Sequence, residues 1–432
     1  MKFKLLAQSV LFGAGLLMVG LTPAQSQTRE ESQGMVLLRG LPTLDTDHSI
    51  AIVELDPESD QFGELLSEVE QPDIQHPLHH LYYSPNGRLY STGLDPSCSL
   101  AEIGLSRDSS GTPVIEGFTC LDTQGQIVGE DIMWATSNGQ EYMFVTFMGG
   151  TGGDDGGSVG VFDTQTNEVV KIIEARKSQV GEGEPYIMYP HGISAFDDRM
   201  VVTSTIHPDM TTGVGNVLTI IDLNTLEPIQ NIVVENEKPL DFPSSPVEVL
   251  FARPDMHADI EPAILANTMF GFETWKIPYD ADSKTFGEAE VIYSGVANET
   301  AVPLEFYGTE DELFISHGLP GVVKRYELAA LPELVSSGPD IVADPGAHHM
   351  IFFTSASGRD LIAVQNNLLN LGNAADDDPT DVDFIADLNA HTITIHDLET
   401  GERIAEVNFK ERYNKGVDNV EGLFGSGFVH HH

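Results

Sequence analysis

One phrase recurs along the 432 residues and leaves few folds open: an alternating apolar run, an acidic turn, then a second alternating run. It is clearest in SVGVFDTQTNEVVKII (158–173) and returns as VLTIIDLNTLEPIQNIVV (217–234) and TITIHDLETGERIAEVNF (392–409). Period-two alternation marks strands that bury one face, and Asp, Thr and Asn between them supply turn chemistry. Weaker copies at 50–66, 100–116, 274–293 and 323–335 bring the number of hairpins to seven. Most are preceded by a second phrase, two short strands around a polar turn. Examples are HHLYYSPNGRLYSTG (79–93), HGISAFDDRMVVTST (191–205) and HHMIFFTSASGRDLIAVQ (348–365). An inner pair plus an outer pair makes a four-stranded antiparallel blade, and seven such units predict an all-β, seven-bladed β-propeller.

The ends fit closure. The hairpin at 50–66 has no inner pair before it, and VDNVEGLFGSGFV (417–429) reads as an inner pair with no outer hairpin after it. Joining them would build the last blade from both termini and remove the open sheet edges. The expected organisation is a signal peptide (1–26), an N-terminal lead-in (27–47), one propeller domain (48–429) and a short tail (430–432). The signal rests on MKFKLLAQSVLFGAGLLMVG, where two lysines precede an apolar run of about fifteen residues and small residues follow. Export to a periplasm or beyond is therefore expected. Two cysteines, Cys98 and Cys120, leave two readings open: a disulfide in an oxidising compartment, or two buried thiols in adjacent strands.

Sixty-seven acidic residues against 21 basic ones give a net charge of −46. Such a surface repels nucleic acid and anionic lipid, so neither is expected as a partner, and no membrane contact is expected beyond export. A small-molecule substrate is the expected partner.

Propeller geometry then sorts the histidines. Innermost strands start at one rim of the central channel, where loops from all blades converge. His79 and His80, His191, and His348 and His349 fall at such strand starts. His207 and His317 fall at the ends of second strands, on the same face. Glu130, Asp131, Glu248, Glu305, Asp418 and Glu421 occupy analogous starts. Converging neutral imidazoles suit copper, zinc or iron. Glu130 and Asp131 are candidates for proton transfer. Because consecutive strand residues face opposite ways, one member of each histidine pair is expected to point inward. The acidic insert GNAADDDPTDVDF (372–384) reads as a solvated loop, a calcium site or a lid. MGGTGGDDGGSVG (148–160) reads as a flexible rim loop, and the terminal HHH as a tail outside the site.

HPLHHLYY (76–83), GGTGGDDGGSVGVFDTQTNEVVK, SSPVEVLFARPDMHADIEPAILANTMFGFETWKI and HHMIFFTSASGRDLIAVQNNLL together resemble the selenium-binding protein family, whose bacterial members include copper-dependent methanethiol oxidases. The resemblance is spread over most of 48–429, with Leu-His-His its compact signature. It implies a propeller, copper, and oxidation of a small sulfur compound. The family's cysteine-rich segment after Leu-His-His is absent here, so copper would rest on His79 or His80, His191, and His348 or His349. Two other readings compete. YPHGISAF and TIHPD locally resemble paraoxonase-type lactonases, which would imply calcium and hydrolysis. A non-enzymatic propeller that binds metal or a partner is the third.

Overall fold

Seven antiparallel sheets stand around a central axis in the computed structural model, which describes residues 32–40, 47–71, 74, 76–150, 156–174, 180–207, 213–235, 243–368 and 389–423. Blade 1 starts with the innermost strand Leu78–Tyr83 and continues outward through Leu89–Gly93, Leu100–Arg107 and Pro113–Cys120. The innermost strands of blades 2 to 6 are Ile127–Ser137, Pro190–Phe196, Pro246–Ala252, Ala301–Gly308 and Ala347–Thr354. Every blade runs from the axis outward, and blade 4 carries a fifth short strand, Thr285–Phe286. Among the described residues the α-helices are single turns, Gly295–Asn298 and Phe409–Tyr413.

Burial follows position in the blade. The innermost strand of blade 4 is buried throughout, whereas the outermost strand of blade 3, Glu227–Val233, is exposed or half-buried at every residue but Ile232. Apolar faces of adjacent blades pack on each other. Val201 and Ile220 of blade 3 meet Val249, Phe251, Ile264 and Trp275 of blade 4. Blade 6 meets blade 7 through Ile351, Phe353 and Ile393 against Val36, Val53 and Val420. Each blade thus buries both faces only because it has neighbours, so the ring must close.

Closure differs from the sequence expectation. Blade 7 takes one strand from the C-terminal end, Lys415–Gly422, and three from the N-terminal end: Gln33–Gly40, Ser49–Glu54 and Leu65–Glu70. The stretch read as part of a lead-in therefore holds the second strand of the blade. QGMVLLRG is buried on both faces, so it carries no alternation by which a strand would be recognised. The seam is fastened by polar contacts. Asp56 accepts the Ala356 N–H at 2.7 Å, Glu58 accepts the Ser357 N–H at 2.8 Å, and Lys415 Nζ donates to the Ser49 hydroxyl at 2.8 Å.

Cys98 and Cys120 form a disulfide with Cα atoms 5.1 Å apart, tying the turn before the third strand of blade 1 to the end of its fourth. The signal segment, the insert at 372–384, the centre of the glycine-rich loop (151–155) and the terminal tail lie outside the described residues.

Candidate metal centre

The axial site is built by one irregularity repeated around the ring. In blade 1, Leu78 pairs with Gly93 and Leu81 with Ser91, so His79 and His80 together oppose the single residue Thr92. Two-against-one pairing is a β-bulge, which breaks the alternation and re-aims side chains. The same shift falls at Glu130–Asp131, His191–Gly192, Val247–Glu248, Leu304–Glu305 and His348–His349. In blade 7 the register skips Asp418. The expectation that one histidine of each pair faces inward is thereby corrected. His79 and His80 each join an axial cluster, and so do His348 and His349, because strand alternation does not hold across a bulge.

In blades 1, 2, 5 and 6 a polar residue on the second strand stabilises the bulge. Thr92 Oγ1 accepts the His80 N–H at 3.2 Å, Thr146 Oγ1 accepts that of Asp131 at 2.8 Å, Ser316 that of Glu305 at 3.2 Å, and Gln365 Oε1 that of His349 at 3.3 Å. Several of these side chains also reach the next blade. Thr92 donates to Glu130 O at 2.8 Å, Thr146 to His191 O at 2.6 Å, Thr203 to Val247 O at 2.9 Å and Gln365 to Val417 O at 2.8 Å. Asn267 donates likewise to Leu304 O. The result is a polar girdle that sets the height of the functional side chains and satisfies backbone groups orphaned by the bulges.

Two sets of donors converge inside this girdle. His80, Glu305, His348 and His349 form one, with one ligand atom from each lying within 4.8 Å of the others; His79, Glu130 and His191 form the second under the same limit. Glu130 Oε2 lies 3.0 Å from His79 Nε2 and 3.3 Å from His191 Nε2. His191 Nδ1 lies 2.7 Å from Glu248 Oε1, and His348 Nε2 lies 3.2 Å from Glu305 Oε1. Gly192 makes the Glu248 contact possible, since a Cβ there would meet Val247 O at 2.7 Å and Glu248 Oε2 at 2.8 Å.

Two tyrosines brace the first set. His80 Nδ1 is 2.8 Å from the Tyr82 hydroxyl, and His349 Nδ1 is 3.1 Å from that of Tyr307. Tyr82 also reaches Asp131, whose oxygens accept the N–H groups of Ile132 at 2.7 Å and Ile193 at 3.0 Å. Asp131 acts as acceptor throughout, so Tyr82 donates to it and His80 donates to Tyr82 through Nδ1. That tautomer leaves the His80 Nε2 lone pair for a ligand, the bracing common to metal-bound imidazoles. His80 Nε2 and both Glu130 oxygens are buried without a hydrogen-bond partner.

Burial and crowding favour the neutral form of His79, His80, Glu130 and Glu248. Burial, then the neighbouring His191 and His348, pushes His79 down to about 3, and burial with the surrounding imidazoles holds His80 well below its ordinary value. Burial raises Glu130 to about 7 against the pull of His191. Glu248 is raised well above the carboxylate range by burial and by Glu305, Asp131 and Glu130. Neutral imidazole is the ligating form, and a cation at the axis would relieve the penalty on the carboxylates. The structure thus fits a metal on its own chemistry: nitrogen-rich, buried, braced, and with orphaned donor atoms.

The remaining predicted residues belong to neither set, although Asp418 acts electrostatically on His79 and His348. His207 packs its ring on Tyr189 at 5.1 Å. His317 is wholly buried within the second strand of blade 5, 5.1 Å from the Tyr293 ring of blade 4, and burial pushes it down to about 3. Asp418 accepts from Asn367 Nδ2 at 2.6 Å and lies 3.8 Å from Arg39 Nε. Glu421 accepts the N–H of Gly422 at 2.9 Å. Sequence reading missed Tyr82, Tyr307 and the girdle residues. The signal for the girdle was a polar side chain recurring in the second strands of blades 1 to 6, in YSTG, FVTF, VVTS, LANT, FISH and AVQN.

No protein-family profile matches the chain, and no curated protein does. Solved structures do. A protein described as a hypothetical selenium-binding protein from Sulfolobus tokodaii is 14% identical over 92% of this chain and 95% of that one, with a TM-score of 0.64. A protein from Lactobacillus plantarum is 12% identical over 90% and 99%, with a TM-score of 0.50. At such identities the likeness establishes the propeller fold.

Proposed function

We propose that this chain is an exported metal-dependent oxidoreductase that holds copper in the axial chamber and oxidises a small sulfur compound such as methanethiol. The observation that carries the reading is His80 Nε2, buried, tautomerically fixed and unpartnered, among the donors of His348, His349 and Glu305. A set of three imidazoles and one carboxylate suits copper, iron or zinc and is a poor match for calcium, which takes oxygen donors. The lactonase reading is therefore not favoured. Copper bound there would supply one-electron redox chemistry and a soft partner for sulfur. The protein contributes no thiolate, because both of its cysteines are in the disulfide. A sulfur ligand would accordingly come from the substrate.

Glu130, raised by burial and placed between His79 and His191, would take the proton of an incoming thiol while no metal occupies it. Asp131 is committed to backbone N–H groups and to Tyr82, so its part is to position His80. The disulfide supports residence in an oxidising compartment. The test is elemental analysis of protein from its native compartment, with oxygen uptake measured on methanethiol. Bound copper and uptake that disappears in His80→Gln are expected. Copper-loaded protein that consumes no oxygen with methanethiol refutes the function.

A further inference from the structure

We propose that the chamber binds two metal ions, one on His80, His348, His349 and Glu305 and a second on His79, His191 and Glu130. This goes beyond the reading above, which needs a single ion. Metal–nitrogen and metal–oxygen bonds of about 2.0–2.2 Å confine the donors of one transition-metal ion to roughly 4.4 Å of each other, and such ions take four to six ligands. The axial donors number more than that and fall into two compact sets instead of one.

The second set is a complete site in its own right. Two imidazoles and one carboxylate form a recognised first-row metal set with open positions. His79 and His191 both present Nε2 to the same Glu130 oxygen, at 3.0 and 3.3 Å, yet neither Glu130 oxygen has a hydrogen bond. Atoms so close without hydrogen-bond alignment are arranged around a shared point. His191 has its other nitrogen 2.7 Å from Glu248 Oε1, again without a hydrogen bond, so Glu248 adds a further buried carboxylate beside this set. The bulge explains how both sets arise, since His79 serves one and its neighbour His80 the other.

The probe is Zn2+ alone, titrated into chelator-treated full-length protein and counted by native mass spectrometry. His191→Gln and His349→Gln should each bind one ion fewer than wild type, and the double variant two fewer. Binding at the terminal histidines is common to all four proteins and cancels in the difference. Anomalous scattering from zinc-soaked wild-type crystals should place two peaks in the chamber. A single peak there, or single variants that each lose as many ions as the double variant, overturns the proposal. The wild-type peaks decide the question even if a variant fails to fold. The count is independent of turnover, so a protein that binds two ions and does not oxidise methanethiol would refute the function and leave this inference standing.

Discussion

Glu130→Gln should stabilise the metal-free protein at pH 8 and leave it nearly unchanged at pH 5. The carboxyl group titrates at 4.5 when exposed and at about 7 in the fold, where burial opposes its charge. Between these values the folded protein keeps a proton that the unfolded chain has released. Stability therefore falls as pH rises from 4.5 to 7, and the loss is complete above 7. At about 1.36 kcal/mol per pH unit the window costs roughly 3 kcal/mol. Glutamine does not titrate and escapes the loss. With an unfolding entropy of about 2.1 cal/mol/K per residue, the variant should melt about 3 °C higher at pH 8. His79 works in the opposite sense: its folded value of about 3 against 6.5 makes stability rise with pH over that interval. That contribution is present in both proteins and largely cancels in the comparison. Scanning calorimetry on chelator-treated samples at the two pH values is the assay. An offset that is the same at both pH values, or a variant less stable at pH 8, refutes the assignment of Glu130 as a buried, strained carboxyl. With metal bound the order should invert, because glutamine removes an anionic donor.

Thr146→Val removes both the acceptor for Asp131 N and the donor to His191 O, at a cost of about 1–3 kcal/mol for each orphaned group. Denaturant midpoints and zinc content should fall together; unchanged zinc affinity would reject the girdle as the support of the site. Tyr307→Phe takes the hydroxyl from His349 Nδ1 and should weaken metal binding about 10–100-fold in competition with a chelator, with little change in melting. Gly192→Ala places a methyl group against Val247 O and Glu248, so it should cost about 1–3 kcal/mol and reduce metal content, read by calorimetry and elemental analysis. Reducing the disulfide, whose cysteines are 22 residues apart, should lower stability by about 3 kcal/mol while metal content holds. Metal lost on reduction would show that blade 1 depends on the bridge to present His79 and His80.

The outer hairpins were legible because they show one face to water: Trp275–Asp280 alternates in sequence as it alternates in burial. The innermost strands were placed from the repeat, which was enough to put His79, His191 and His348 at equivalent positions. Gln33–Gly40 escaped because burial on both faces erases the alternation that identifies a strand. Whether Cys98 and Cys120 pair was likewise a matter of distance in space, as strand spacing alone permits either outcome.

The sequence by itself determined the number of blades and the rim on which histidine and carboxylate recur, since both follow from periodicity along the chain. Only the tertiary structure decided how those residues act. A bulge is a relation between two strands, so His79 and His80 part company into different donor sets only once Thr92 lies opposite both. Blade 7 shows the same dependence, with its innermost strand drawn from one end of the chain and the other three from the opposite end. Glu130 meets His191 because two blades are neighbours, and its carboxyl rises to about 7 because the ring closes over it. Burial and register are properties of the assembled ring, and the chemistry of the site depends on both.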